Sequence, residues 1–368
     1  MIGLGGALHE QGHQVCAIGT GNLAASEAAD WGAIETYTTP TVGPAQFAYS
    51  PAMPQVIADS KPEVLHQHGL WVYPSVAGTR WGRRHAQQRL ISPHGMLDPW
   101  ALQTRALKKR LAYRAFERDN LMSARCLHAL VAEEAAAIRA LGLATPVAVI
   151  PNGVERPAGQ TPLPEPLAEQ IGTSPYVLYL GRIHDKKNLG ALLGAWHRFA
   201  ADLQPGATLQ LVLAGFGAAA DEAKLREQIA QAGRGDCHFI GAVYGQQKLA
   251  LLSNAQALVL PSHSEGLPMV VLEAWAHGLP VLMTPHCNLP IGFTREAAIK
   301  IGVDPDTIAA GLHDLAALGD EGRQLMGQRG SQLIDEEFTW PQVARKFARL
   351  YAWIANGGQQ PDDLFFAA

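Results

Sequence analysis

Pro261-Ser262-His263-Ser264-Glu265-Gly266-Leu267-Pro268-Met269-Val270-Val271-Leu272-Glu273-Ala274 follows a short apolar run, Ala257 to Leu260, that reads as a buried strand. Ser and Gly let a tight loop leave the strand end, Pro268 suits the first turn of a helix, and the apolar residues after it carry that helix into a core. A strand, a tight loop and a helix in that order make half of a βαβ unit on a parallel sheet. The helix start has amides without partners and the positive end of the helix dipole, which together seat a diphosphate. Glu265 lies in the loop and Glu273 about two turns further on.

On both sides of this segment, short β-branched runs alternate with longer amphipathic stretches, the rhythm of an α/β fold. Val15 to Ile18, Val64 to His68, Leu90 to Ser92, Ala129 to Ala132 and Val147 to Ile150 read as strands of a first sheet. Between Pro151 and Pro175 the rhythm breaks at Asn152-Gly153, Pro157, Pro162, Pro164 and Pro166, which favour turns and extended chain over helix and mark a linker. Val177 to Leu180, Leu209 to Ala214, His238 to Ile240, Ala257 to Leu260 and Val281 to Met283 then read as strands of a second sheet. Near the end, Val343, Phe347, Leu350, Tyr351 and Ile354 fall on one helix face. The expected domains are 1–153, 154–340 and a helix with tail, 341–368, packing back towards the first domain.

Glu265, seven intervening residues and Glu273, followed by Ala274-Trp275-Ala276-His277-Gly278-Leu279-Pro280-Val281, resemble as a block the paired-glutamate motif of family 4 retaining glycosyltransferases of the GT-B fold. The resemblance implies two Rossmann-like domains facing a central cleft, the first for the acceptor and the second for a nucleotide sugar, with a hinge near Pro151-Asn152-Gly153-Val154. It implies that Glu265 approaches the donor sugar, that Glu273 bonds the nucleotide ribose, and that Gly266, Leu267, Pro268 and Met269 line the donor. A second block agrees with the first: Gly181-Arg182-Ile183-His184-Asp185-Lys186-Lys187-Asn188-Leu189 follows a strand and resembles the family's Gly-Arg and Lys-Asn segment. As the bond between sugar and diphosphate breaks, charge grows on the leaving oxygens, so fixed cations stabilise the transition state more than the ground state. Arg182 and Lys187 are the candidates, a planar fork and a point charge, with Gly181 beside them.

In the first half, His66-Gln67-His68-Gly69-Leu70-Trp71 and Ile91-Ser92-Pro93-His94-Gly95-Met96-Leu97-Asp98-Pro99-Trp100 are strand-end loops, where open α/β sheets keep their ligands. The second resembles the family's acceptor-side loop, which implies that His94 contacts the donor sugar near the reacting carbon. His68 and Trp71 are placed on the acceptor side. Catalysis in the family runs by front-face attack, with the donor's phosphate taking the acceptor proton. No Asp-x-Asp metal motif stands at a strand end, so no cofactor and no metal ion are expected. The chain departs from the family pattern at its beginning. Gly12-His13-Gln14-Val15 arrives almost at once, which implies that the first strand of the N-terminal sheet and its Gly-rich loop are missing. A strand-deficient sheet with exposed backbone groups would follow, and a non-catalytic sugar-nucleotide binder is the rival reading.

Two glycine patterns compete. Gly19-Thr20-Gly21-Asn22-Leu23-Ala24 fits a dinucleotide fingerprint with Glu35 downstream, which would make the chain an NAD-dependent oxidoreductase, though a loop after a strand explains it equally well. Gly215-Phe216-Gly217 reads as a turn.

The 368 residues carry 48% hydrophobic and 17% charged side chains, enough for two cores, and a net charge of -4, which argues against nucleic acid as partner. Four scattered cysteines, Cys16, Cys126, Cys237 and Cys287, form no CxxC pair and fit a reducing cytoplasm. Charge is uneven. From Arg80 to Arg125 the basic residues Arg80, Arg83, Arg84, Arg89, Arg105, Lys108, Lys109, Arg110, Arg114, Arg118 and Arg125 face only Asp98, Glu117 and Asp119. That excess suits an anionic surface, so the expected partners are a UDP- or GDP-sugar, a glycan or lipid-linked saccharide acceptor, and the inner face of a membrane approached peripherally. A solvated helix face is the plain alternative. The expected role is polysaccharide biosynthesis.

Overall fold

A computed structural model describes residues 1–21, 30–172, 174–202 and 208–367. The chain divides into two compact units, Met1–Gly153 with Trp340–Ala368, and Val154–Thr339. The Asn22 to Ala24 part of the dinucleotide-like pattern lies outside the described residues.

In the first unit, α1 (Ile2–Glu10) leads to β1 (Cys16–Thr20) and β2 (Glu35–Thr39), which pair in parallel as a two-stranded ladder. A separate parallel sheet holds β3 (Leu65–His68), β4 (Arg89–Ser92), β5 (Cys126–Ala129) and β6 (Val147–Val149), in that order. The expected single first sheet is therefore interrupted between β1 and β3. Among the described residues each of these strands pairs on one side only, leaving unpaired backbone edges. β2 escapes a search for apolar runs because its sequence, Glu-Thr-Tyr-Thr-Thr, is mostly polar and owes its strand to β-branched threonine. The strand expected at Ala129 to Ala132 sits earlier, at Cys126–Ala129. Ala132 already opens the helix Ala132–Ala140, where Glu133 and Glu134 suit the positive end of the dipole.

Alternation along the strands gives the sheet two faces. Leu90, Cys126, Ala148 and Ile150 meet Leu4 and Leu8 of α1 and the buried stripe Val343, Phe347, Leu350 and Ile354 of the C-terminal helix, Trp340–Asn356. That helix is thus part of the first unit's core. Ile91, Leu127 and Val147 face the other way, against Leu121 and Ile138. Helices α2 (Tyr73–Gly82), α3 (Ala106–Ala112) and α4 (Ala132–Ala140) follow β3, β4 and β5.

The presumed linker holds a helix, α5 (Glu165–Ile171), whose Leu167 and Ile171 are buried in the second unit's core. Proline did not prevent it, because Pro164 caps the helix and Pro166 lies in the first turn, where no amide is needed. The second unit's sheet is fully parallel: β7 (Tyr176–Leu180), β8 (Gln210–Ala214), β9 (Cys237–Gly241), β10 (Ala257–Leu260), β11 (Val281–Met283) and β12 (Ala298–Lys300), in the order β12-β11-β10-β7-β8-β9. β7, β10 and β11 are buried along their whole length, as strands covered on both faces must be. The chain starts at the centre with β7, winds outward through β8 and β9, and returns to β10 on the other side of β7. This reversal is a topological switch point, and the loops leaving β7 and β10 diverge there. Among the described residues no helix is long and apolar enough to cross a membrane.

Candidate functional site

The two blocks singled out from sequence leave β7 and β10, the strands that flank the switch point. Their loops are stitched together. Asn188, in the left-handed region at φ 59°, donates its side-chain amide to the carbonyls of Pro261 (3.2 Å) and Val303 (2.7 Å), and the His263 amide donates to Lys186 (2.8 Å). Lys187 Nζ then donates to Glu265 Oε1 at 2.5 Å, and Ser262 Oγ donates to the same oxygen at 2.6 Å. The Lys187 and Glu265 side chains are only 17% and 10% exposed, so water screens this pair weakly. From the other flank, Asn288, also left-handed at φ 56°, donates to the carbonyls of Glu265 (2.7 Å) and Gly266 (3.2 Å), and the Glu265 amide donates to His286 (3.0 Å).

Arg182 is exposed at the mouth of the same loop, and the Tyr179 hydroxyl fixes its backbone by donating to the Arg182 carbonyl at 2.8 Å. Burial, and then the Glu265 charge, push the Tyr179 phenol well above its ordinary range, so it stays a donor. Gly215 and Gly217 are explained by close packing of backbone on backbone. A Cβ on Gly215, at φ 150°, would lie 1.7 Å from the Gly181 carbonyl oxygen, and one on Gly217 would lie 2.4 Å from that of Ile183. The glycine turn is thus the floor on which the Gly181 loop rests.

After Leu267, Pro268 is the N-cap residue of α7 (Met269–Ala276), one position earlier than a first-turn proline. No side chain caps the start of α7, where the Val271 amide donates to the Pro268 carbonyl at 3.0 Å. Glu273 on α7 accepts from Lys248 Nζ at 2.8 Å; Lys248 belongs to α6 (Gly245–Asn254). Each of the two acids therefore has a lysine. Lys248, Ser262, Asn188 and Asn288 were missed from sequence. The two asparagines carried a readable signal, since Asn is among the few side chains that tolerate a left-handed backbone.

The first unit gathers His68, His94 and Trp71 at the ends of β3 and β4. His68 Nδ1 and His94 Nε2 share a hydrogen bond at 2.9 Å, with rings stacked at 12° and centroids 5.2 Å apart. Burial is the main reason that His68 is lowered to about 3, the neighbouring His94 adding to it, and burial lowers His94 too. Both imidazoles are neutral near pH 7.

Two acids that the sequence did not single out hold these loops. Buried Glu134 on α4 accepts from the amides of Gly95 (2.6 Å) and Leu130 (2.8 Å), fixing the turn in which His94 stands at φ 52°. Fully buried Glu117 accepts from the Trp71 amide (2.7 Å), Ser75 Oγ (3.0 Å) and Asn120 Nδ2 (2.6 Å), and so holds Trp71 at φ 73°. Burial raises both carboxyls, and the hydrogen bonds work against it. Trp71 lies under the Lys109 ammonium, 5.9 Å from the ring centroid, and among the described residues its buried Nε1 finds no hydrogen-bond partner. Among the described residues no group of three His, Cys, Asp or Glu side chains is placed to hold a metal ion.

The family model for glycosyl transferases group 1 matches residues 168–332, and that for a glycosyl transferase 4-like domain matches residues 3–153. A glycogen synthase of Mycobacterium tuberculosis is 28% identical over 318 residues, which covers 82% of this chain and 71% of that protein. O-antigen chain mannosyltransferase B of Escherichia coli is 26% identical over 185 residues, 50% of this chain and 47% of its own. Among solved structures, a sucrose-phosphate synthase from Thermosynechococcus elongatus matches with a TM-score of 0.69 at 19% identity, covering 96% of this chain and 92% of that one. HepE of Anabaena, in complex with UDP and glucose, matches with a TM-score of 0.71 at 14% identity and 95% coverage of both chains.

Proposed function

Because the chain belongs to the family 4 glycosyltransferases of the GT-B fold, we propose that it moves a sugar from a UDP- or GDP-sugar to a glycan or lipid-linked acceptor, with retention of anomeric configuration and without a metal ion, in polysaccharide biosynthesis. The observation that carries this reading is the Lys187–Glu265 pair at the switch point, which joins two motifs far apart in sequence at the place where α/β sheets bind ligands. The second unit would hold the nucleotide sugar. Its diphosphate would lie against the first amides of α7, the exposed Arg182 fork and the Lys187 ammonium, which together meet the charge a metal would otherwise neutralise.

Glu265 is already engaged by Lys187 and Ser262, so its carboxylate is fixed in direction and suited to gripping the sugar. Glu273, held by Lys248, would take the ribose hydroxyls as an acceptor. When the departing phosphate oxygen takes the acceptor's proton, no protein base is needed, which agrees with His68 and His94 being neutral donors and acceptors rather than charged groups. His94 would contact the donor sugar, and His68 and Trp71 the acceptor side. The HepE structure with UDP and glucose supports a UDP-sugar, and the mannosyltransferase relative keeps a GDP-sugar in the screen.

Nucleotide diphosphate release from UDP-glucose and GDP-mannose, measured with and without EDTA, tests the proposal. Release is expected to survive EDTA. Lys187→Ala and Glu265→Ala are each expected to lower it by about 100- to 1000-fold, the loss seen when one transition-state contact is removed. Release abolished by EDTA and restored by added metal overturns metal independence. Tight nucleotide binding without release from any donor favours the non-catalytic reading, and an inverted anomeric proton in the product overturns retention.

A further inference from the structure

Under the C-terminal helix, one polar side chain from each of β3, β4 and β5 points to the same face of the sheet, and the three are joined in a row. His66 Nδ1 lies 2.7 Å from the Tyr351 hydroxyl, His66 Nε2 lies 2.7 Å from Ser92 Oγ, and Ser92 Oγ lies 2.7 Å from His128 Nδ1. His128 Nε2 lies 2.7 Å from the Ile150 carbonyl oxygen, just past β6. A carbonyl only accepts, so the proton sits on His128 Nε2. His128 is neutral, being buried, so its Nδ1 must accept, and Ser92 gives it its one hydroxyl proton. Ser92 can then only accept from His66 Nε2–H, which leaves His66 Nδ1 to accept from Tyr351. Every proton in the row runs the same way, and each tautomer is fixed by its neighbour.

The row reaches the strand-end histidines through ring contact. His66 lies with its centroid 4.0 Å from that of His68, and His68 is bonded to His94. Ser92 is also two residues before His94 in the chain, separated from it by Pro93. We infer that Tyr351 and Ser92 are positioning residues for His94, acting through the one-way row that holds the His66 ring against that of His68. This deepens the proposal above and rests on its reading that His94 contacts the substrate. Loss of the Ser92 hydroxyl strands two buried ring nitrogens, His66 Nε2 and His128 Nδ1, and frees the tautomer of His66, while the Ile150 carbonyl still holds His128 as Nε2–H. Loss of the Tyr351 hydroxyl leaves His66 Nδ1 without its donor and the ring held from one side only, its tautomer still set by Ser92.

Long-range proton–nitrogen NMR of ¹⁵N-histidine-labelled protein near neutral pH reads the row directly. In the unaltered chain His66 and His128 are both expected as the Nε2–H tautomer, and Nδ1–H at either overturns the row even where no variant folds. Tyr351→Phe is expected to move the His94 ring signals and to lower kcat for nucleotide release from UDP-glucose by about tenfold, with KM within about twofold, as a small misplacement of a catalytic group does. Ser92→Ala is expected to mix the tautomers of His66 while His128 stays Nε2–H, and Ser92→Thr, which keeps the hydroxyl, to restore the Nε2–H form of His66. His94 signals that stay put in both Tyr351→Phe and Ser92→Ala overturn the positioning role. Full turnover by His94→Ala instead overturns the reading of His94, while the spectra still decide the row.

Discussion

Glu134 gives both carboxylate oxygens to backbone amides, one of them next to His94. Glu134→Ala would bury those two amides without a partner and cost about 3 kcal/mol of unfolding free energy in urea, with a fall in turnover as the turn loosens. Glu134→Gln keeps one acceptor and should fall between; equal stability of all three proteins would show that the amides find other partners. Sequence gave no hint of this acid, because Glu133-Glu134 at a helix start reads as ordinary dipole compensation. Glu265 and Glu273 were legible because loop, helix start and acid lie close together in sequence, and Lys187 because it stands in a second local block after a strand. Their partners Lys248 and Asn288 reach them from other elements, which no local pattern encodes. Arg89 shows the opposite error. Counted among the surface cations, it is fully buried and bonded to Asn120 and Ser123, since a charge count cannot tell which side of a strand a residue faces.

At the scale of elements, strands with apolar runs were legible, whereas β2 was not, and a helix capped by Pro164 was taken for linker. The C-terminal helix was read from its stripe, but that its Tyr351 closes a row of buried histidines depends on pairing between four strands. Burying histidines in and beside that row has a cost in acid. Burial lowers His128 to about 4, and burial with the neighbouring His94 lowers His68 to about 3, whereas histidines of the unfolded chain take protons near pH 6.5. Above that value both states keep the rings neutral and the stability is complete. As pH falls below it, the unfolded chain gains protons that the folded one refuses, and each of the two histidines removes about 1.4 kcal/mol per pH unit until its folded value is reached. The urea midpoint of the first unit should therefore drop by the equivalent of about 2 kcal/mol between about pH 6.5 and pH 5.5, since the slope is still developing near the unfolded value. A midpoint that does not move over this range would mean that these rings are hydrated and free to titrate.

Across the whole molecule the charge is lopsided, and the structure shows where the excess lies. α3 exposes Leu107 and Leu111, at 70% and 60%, among the exposed cations Arg105, Lys108, Arg110, Arg114 and Arg118. Apolar side chains between cations are the arrangement that settles into an anionic lipid surface, each cation adding about 1 kcal/mol. Phosphatidylglycerol vesicles at low salt should therefore sediment the protein, phosphatidylcholine vesicles should not, and replacing both leucines by Glu should abolish binding without altering nucleotide release. Binding that ignores the leucines would reduce the patch to a solvated helix face. The alternation of strands and helices identified the fold class, but the strand order that creates the switch point is a property of the complete sheet.

The first unit is not continuous in the chain: Trp340–Asn356 belongs to it and is made after all of the second. A ribosome releases the second unit's full sequence while the sheet of the first still lacks the helix that covers Leu90, Cys126 and Ala148. In the growing chain, then, the half begun first is the half completed last, and its apolar face waits for a partner that emerges only after the whole of the other half.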